Sequence, residues 1–298
     1  MRRLRAEYLD APVELRGIPI WGADETPIGA SLHPAMTKQN QLPLAGQVAV
    51  VTGSAQGIGA GIALKLAAHG ARVVIHGREK ERATAEKLRQ AVQEAGGEAT
   101  VVLGDVRDEA VCRNIVRQAV AQLGRLDILV NNAGVVHRGT IENTSVELWN
   151  EIFETNLRAP FILAQEAVAH MKERRSGCII NIGSVNAHHG MKKILAYSAS
   201  KGGMMTFTKN LANYLTQYRI RVNQINPGWV LTEGEQIVNT VVEGKGENWL
   251  EEAVKSRPFG RMILPEDIAN AALFFATNEL ISGSVLDYEQ LPFGVPTD

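Results

Sequence analysis

Tyr197 and Lys201 stand four residues apart in the stretch Ala196-Tyr197-Ser198-Ala199-Ser200-Lys201. On a helix, that spacing points both side chains from one face. An ammonium held beside a phenol makes the phenol usable as an acid or base near neutral pH. Alone, the pair is weak evidence; its position in the chain strengthens it. Ser184 closes an apolar run just upstream, and a glycine-rich stretch, Thr52-Gly53-Ser54-Ala55-Gln56-Gly57-Ile58-Gly59, follows an earlier one. Glycines at a strand-to-helix turn let backbone N–H groups approach a pyrophosphate, and the helix N-terminus favours its negative charge. The spacing is Gly-x-x-x-Gly-x-Gly and not the Gly-x-Gly-x-x-Gly fingerprint, and glycines at such a turn can also be purely structural.

The end of the second apolar run bears on which dinucleotide would bind. An acidic side chain there would accept hydrogen bonds from the adenosine ribose of NAD, but this chain has His76-Gly77-Arg78. A guanidinium is available for a 2′-phosphate, so NADP is favoured over NAD. Gln56 supplies no second positive charge. Asp105 follows the third run, where its carboxylate could meet an adenine amino group or cap the next helix. Asn131-Asn132-Ala133-Gly134 closes the fourth run. Its small residues admit a ligand, and its amides can pin the turn.

These residues need a scaffold, and the hydrophobic pattern supplies one. Short apolar, largely β-branched runs at 48–51, 73–76, 100–103, 128–131, 179–182, 222–225 and 285–286 alternate with helical patterns. The helical patterns lie near 57–69, 80–95, 108–123, 145–172, 195–217 and 265–277. Runs without polar alternation are expected of parallel strands buried on both faces. The order predicts one doubly wound α/β domain over residues 45–298, with a mainly parallel seven-stranded sheet and helices on both faces. Residues 232–258 break the rhythm with six glutamates and three glycines after the sixth strand. They are expected to form a lid at the carboxyl edge of the sheet, with a solvated insertion as the alternative.

Residues 1–44 carry five prolines and read as an irregular extension. Trp21, Ile18 and Ile20 would give it something to bury, whether as a tail over the domain or at a subunit contact. Hydrophobic residues make up 45% of the chain and the net charge is −1, which excludes disorder and gives no footprint for nucleic acid or an anionic membrane. Two cysteines, Cys112 and Cys178, make neither a disulfide framework nor a metal cluster, so a cytoplasmic setting is expected. No apolar run approaches 18 residues.

Taken together, Thr52–Gly59, Asn131–Gly134, Asn156, Ser184, Tyr197, Lys201 and Pro227-Gly228 resemble, in order, the short-chain dehydrogenase/reductase family of the TGxxxGxG type. The resemblance covers about residues 45–286 and implies a Rossmann-like domain that interconverts a secondary alcohol and a ketone with a nicotinamide cofactor. It implies Tyr197 as general acid/base, Lys201 on the phenol and the nicotinamide ribose, Ser184 on the substrate oxygen, and Asn156 on a water-linked proton path. A free phenol titrates near 10, so lowering it by about three units needs roughly 4 kcal/mol. Cofactor contacts are implied at Gly53, Ser54, Gln56, Gly57, Ile58, Gly59, Arg78, Asp105, Val106, Asn132, Ala133, Gly134, Tyr197, Lys201, Pro227, Gly228, Val230 and Thr232.

The expected substrate pocket is lined by His137, Ser184, Asn186, His188, Met191, Trp229 and the lid, a polar and aromatic mixture suited to a sugar, sugar acid or polyol. No metal is expected, because the His188-His189 pair has no third ligand. A 3-oxoacyl thioester reductase is the enzymatic alternative. A non-catalytic nucleotide-binding sensor is the alternative of another class, although a sensor has no need of the proton machinery. The resemblance further implies a homodimer or homotetramer built through helices 145–172 and 195–217. Where the family commonly carries Asp-Gly-Gly after the last strand, this chain reads Asp287-Tyr288-Glu289.

Overall fold

The computed structural model describes residues 42–246 and 248–291, so the expectations for residues 1–41 lie outside the described residues. Seven strands form one sheet: β1 (Val48–Val51), β2 (Arg72–Gly77), β3 (Ala99–Leu103), β4 (Ile128–Asn131), β5 (Gly177–Ile182), β6 (Ile220–Pro227) and β7 (Val285–Tyr288). Their order is β3-β2-β1-β4-β5-β6-β7, and every neighbouring pair is parallel. The chain moves outward from β1 to β3, then returns to pair β4 with β1. That reversal opens a crevice at the carboxyl ends of β1 and β4, where ligands bind in open α/β sheets.

Both faces of the sheet are covered, which accounts for the apolar runs. In β1, Ala49 and Val51 face a core shared with α1 (Gly57–Ala68), α2 (Arg82–Glu94) and α9 (Pro265–Thr277). Val48 and Val50 face the other core, with α3 (Glu109–Leu123), α5 (Ala159–Arg174) and α6 (Leu195–Leu215). Alternate side chains of one strand thus enter opposite layers, and both layers are dry. Leu44 is fully buried in the first core, and its amide donates to His69 O at 2.9 Å.

The predicted helix over 145–172 is divided. α4 (Val146–Phe153) passes into a π-helical turn, Glu154–Arg158, before α5 begins. Periodicity does not register one wide turn, and such turns cluster at functional sites. After β6, residues 232–258 contain α7 (Glu233–Ile237), a second π-helical turn (Val238–Val242) and α8 (Trp249–Lys255). A small satellite core of Trp249, Ala253 and Met262, with Trp229, Leu231 and Val254 against it, anchors this segment.

Candidate active site

Side chains from four elements converge at the carboxyl ends of β4 and β5. Tyr197 and Lys201 project from the first turns of α6, with the Lys201 ammonium 5.6 Å from the centre of the Tyr197 ring. Lys201 is 4% exposed and donates to Ile182 O at 2.8 Å. Burial lowers its pKa to about 8, because the low-dielectric interior penalises the ammonium. Burial pushes the Tyr197 phenol up; its hydrogen bond to the Ser184 hydroxyl works the other way, and the charge of Glu235 adds to the rise. The depression expected from Lys201 is therefore not present in the protein alone. The phenol is held protonated.

Ser184 is buried at the end of β5, and its amide donates to Asn226 Oδ1 at 3.1 Å. Its hydroxyl accepts from the Asn186 amide at 3.2 Å and from Asn186 Nδ2 at 3.3 Å. Asn156 lies in the first π-helical turn, fully buried. Its Oδ1 accepts from Val135 N at 2.8 Å, and its Nδ2 donates to Val135 O at 2.9 Å and Ser200 Oγ at 3.1 Å. Ser200 Oγ in turn donates to Tyr197 O at 2.7 Å. The widened turn thus brings an amide that clamps the loop after β4 to the first turns of α6. A methyl group on Gly134 would lie 3.3 Å from Asn156 Oδ1 and 3.7 Å from Lys201 Nζ, so glycine keeps the approach to the lysine open.

A cleft runs from this cluster along the strand ends to β2 and β3. Of the expected cofactor contacts, Gly53, Gln56, Gly57, Ile58, Arg78, Asp105, Val106, Asn132, Ala133, Gly134 and Thr232 line it. Gly53 and Gly57 have φ near +60°, which favours glycine. A Cβ on Gly53 would come within 2.9 Å of Ala133 Cα, so the glycine loop and the loop after β4 touch backbone to backbone. Thr52 welds them: its hydroxyl accepts from Asn132 N at 3.0 Å and Ala133 N at 3.1 Å. Asn132 Nδ2 returns to Thr52 O and Gly53 O. Extended backbone amides in a glycine-lined cradle fit a dinucleotide. No group of three or more His, Cys, Asp or Glu side chains able to hold a metal occurs among the described residues.

Several of the expected contacts also have structural roles. The Ser54 side chain is fully buried, donating to Val51 O and accepting from His76 N, so its hydroxyl joins β1 to β2 and faces away from the cleft. Gly59 is a packing glycine: a Cβ would meet Asn132 Nδ2 and Gly53 O at 2.5 Å. Asp105 is paired with Arg107 at 2.7 Å and accepts from the Arg107 amide, while Asp108 caps α3. Gly228 N donates to Tyr288 O, and Val230 is buried in a bridge to Ile263, continuing from Pro227 at the end of β6. Thr232 caps α7. His137 stands 3.6 Å from Glu151, apart from the concavity lined by Asn186, His188 and Met191. His188 Nε2 lies 2.8 Å from Asp287 Oδ1.

Four residues outside the expected contacts join the site. His76, 2% exposed, accepts from Gly53 N through Nδ1 at 3.0 Å, and its Nε2 lies 3.2 Å from Gly104 O. An acceptor at Nδ1 fixes the neutral tautomer with the proton on Nε2. Burial lowers its pKa to about 4. Glu81 returns to the end of β2 through a 3₁₀ turn and takes the Arg78 guanidinium at 2.6 Å and its amide at 2.8 Å. Glu235 accepts from Trp229 Nε1 at 2.6 Å and from the buried Asn239 at 2.8 Å. Thr52 is the fourth. Periodicity and motif spacing carry no sign of which side chain a turn folds back onto.

No helix among the described residues is long and apolar enough to cross a membrane. The family model for short chain dehydrogenase matches residues 47–241. An uncharacterised oxidoreductase of Methylorubrum extorquens is 38% identical over 246 residues, covering 82% of this chain and 96% of the relative. The 3-oxoacyl-[acyl-carrier-protein] reductase of Chlamydia pneumoniae is 34% identical over 236 residues, covering 79% and 92%. A crystal structure described as a candidate NAD(P)-dependent gluconate 5-dehydrogenase of Beutenbergia cavernae, with bound NADP at low occupancy, superposes with a TM-score of 0.74 at 31% identity, covering 83% and 96%. A parallel Rossmann-like sheet, a glycine-lined cleft and these likenesses place the chain in the short-chain dehydrogenase family, as an NAD(P)-dependent oxidoreductase.

Proposed function

We propose that this protein interconverts a secondary alcohol and a ketone, with Tyr197 passing the proton. The observation that carries this is the convergence of Ser184, Tyr197, Lys201 and Asn156 beside Gly134, which lines the cleft. When bound, the nicotinamide supplies or takes up the hydride. The phenol, held protonated by burial, is ready to give its proton to a carbonyl oxygen, and Ser184 holds that oxygen beside it. Lys201 holds positive charge by the ring, and Asn156 fixes the loop that Gly134 leaves open. Tyr197→Phe is expected to lower kcat roughly 10²–10⁴-fold. Cofactor affinity should stay near that of the wild type; a matching loss of cofactor binding would rule out a proton-transfer role.

The cofactor is NADP in preference to NAD. Arg78 lines the cleft at the end of β2, and its pairing with Glu81 is a surface contact, easily exchanged for a 2′-phosphate. The Beutenbergia cavernae structure, which holds NADP, is consistent with this choice. Glu81 also places a carboxylate within reach of a ribose, which narrows the preference.

The substrate is a hydroxyl-rich molecule: a sugar, sugar acid or polyol. Support comes from the polar groups next to Ser184 and from the segment after β6, which acts as a lid. There Trp229 lies beneath Lys245 and Arg257, each cation matched by a carboxylate, Glu243 and Glu289. Arg138 reaches Glu243 from the loop after β4 and ties the lid down. The charge of Glu235 near the phenol favours neutral sugars and polyols over acids. A 3-oxoacyl thioester reductase is the second reading, favoured by the Chlamydia pneumoniae relative. Absorbance at 340 nm with polyols and 3-oxoacyl thioesters separates the two. The protein acts in the cytoplasm, in keeping with the buried free thiols of Cys112 and Cys178. It assembles as a homodimer or homotetramer through α5 and α6.

A further inference from the structure

A concavity of about 700 Å³ lies beside Ser184, between the loop after β5, residues 140–142 and the first turns of α6. Among the described residues, three buried side-chain oxygens have no hydrogen-bond partner, and two of them, Asn186 Oδ1 and Ser198 Oγ, belong to residues lining this space. An unanswered buried polar atom costs roughly 1–3 kcal/mol. Both oxygens are shielded in this conformation, so each side chain gains by turning toward a partner held in the adjoining hollow. Ser198 is more than nine-tenths buried. Other hydroxyls of the same helix return to it: Ser200 donates to Tyr197 O and Thr208 to Met204 O. Ser198 does not, although a helical serine commonly bonds the carbonyl four residues back. Gly202 also lines this space.

The hollow is joined to the reaction centre. Asn186 spends its amide hydrogens on Ser184 Oγ and leaves Oδ1 over, while Ser198 follows Tyr197 in the chain. An unpaired amide oxygen calls for a donor, and a serine hydroxyl takes or gives. A ligand hydroxyl can serve both roles; a carboxylate, a thioester carbonyl or a methylene cannot donate to Asn186. We infer that Asn186 and Ser198 form a subsite for a second hydroxyl of the substrate, next to the carbon that reacts. The inference rests on the hydroxyl-rich substrate class proposed above and narrows it to molecules with a free hydroxyl near the reacting alcohol.

The test compares kcat/KM for polyols (ribitol, xylitol and sorbitol) with that for the monohydric alcohols 2-pentanol and cyclohexanol. Each is measured with wild type, Ser198→Ala and Asn186→Ala holoenzyme. Removal of the Ser198 hydroxyl should reduce the polyol-to-monohydric ratio about tenfold, chiefly through KM for the polyol. Cofactor affinity measured on the same samples checks that each variant is folded. Polyol turnover with an unchanged ratio in both variants would overturn the subsite and leave the substrate class standing. An equal loss on both alcohol types would also overturn it, as the mark of a structural role. Wild-type turnover confined to monohydric alcohols would strike the substrate class itself, and the subsite with it.

Discussion

At the scale of single residues, the proposed preference for NADP rests on a competition between Arg78 and Glu81. Arg78 is about half exposed, so the pair itself is worth at most about 1 kcal/mol. Its consequence is electrostatic: Glu81 both occupies the guanidinium and offers a carboxylate to a ribose. Glu81→Gln is expected to raise the ratio of kcat/KM for NADP over NAD by about tenfold, as a charge-assisted contact to phosphate is strengthened and a repulsion is removed. Arg78→Ala should move the same ratio the other way. If Arg78→Ala leaves it where it was, the 2′-phosphate is not bound at β2. The strand end itself does not reveal this acid, which stands three residues beyond Arg78. Only the 3₁₀ turn at Glu79–Glu81 folds it back.

At the scale of elements, the glycine loop is held by its neighbours as much as by its glycines. Neutral His76 joins Gly53 on the loop after β1 to Gly104 on the loop after β3. Its pKa falls from 6.5 to about 4 on folding, so the unfolded chain binds the extra proton between those values. The stability of the neutral clamp is complete above pH 6.5 and is lost as pH falls through 4, a change on the order of 3 kcal/mol. Protonation would also remove the acceptor for Gly53 N. Thermal unfolding from pH 7 to 4 should therefore show a decline that His76→Asn flattens. An equal slope in wild type and variant would assign the acid sensitivity elsewhere. Asn156 is the parallel case on the other side of the site. Its amide answers Val135 and Ser200 only because the helix after β4 widens by one turn.

At the scale of the whole molecule, α5 and α6 leave an apolar strip on the surface. Phe161 is 50% exposed and packs edge-on to Phe207, while Tyr214 is 54% exposed beneath Lys172. Exposed aromatics on adjacent long helices suit a pairing of identical faces. Phe161→Glu would bury four like charges or two, depending on assembly, and is expected to convert the oligomer to monomers in sedimentation velocity. A wild-type protein that already sediments as a monomer would discard the proposal. The C-terminal departure is structural as well. In place of Asp-Gly-Gly, Asp287 reaches His188 and Asn226, and Glu289 fills the space beside Gly228 so closely that a Cβ there would collide with it.

The sequence alone determined the sheet, because strands dry on both faces must be written as unbroken apolar runs and parallel strands need helices between them. It also pointed to the proposed reacting set, since a turn that approaches a phosphate demands glycine and a four-residue helical spacing joins phenol to ammonium. Tertiary structure decided what those groups experience. Burial sets the Tyr197 phenol high and Lys201 low, although their spacing predicts only that they meet. The partners of Ser54, His76 and Asn156 are likewise made by side chains crossing between elements, where spacing along the chain no longer measures distance. Tyr197 and Lys201 carry the proposed reaction into view from sequence, while the unanswered oxygens of Asn186 and Ser198 exist only in the fold.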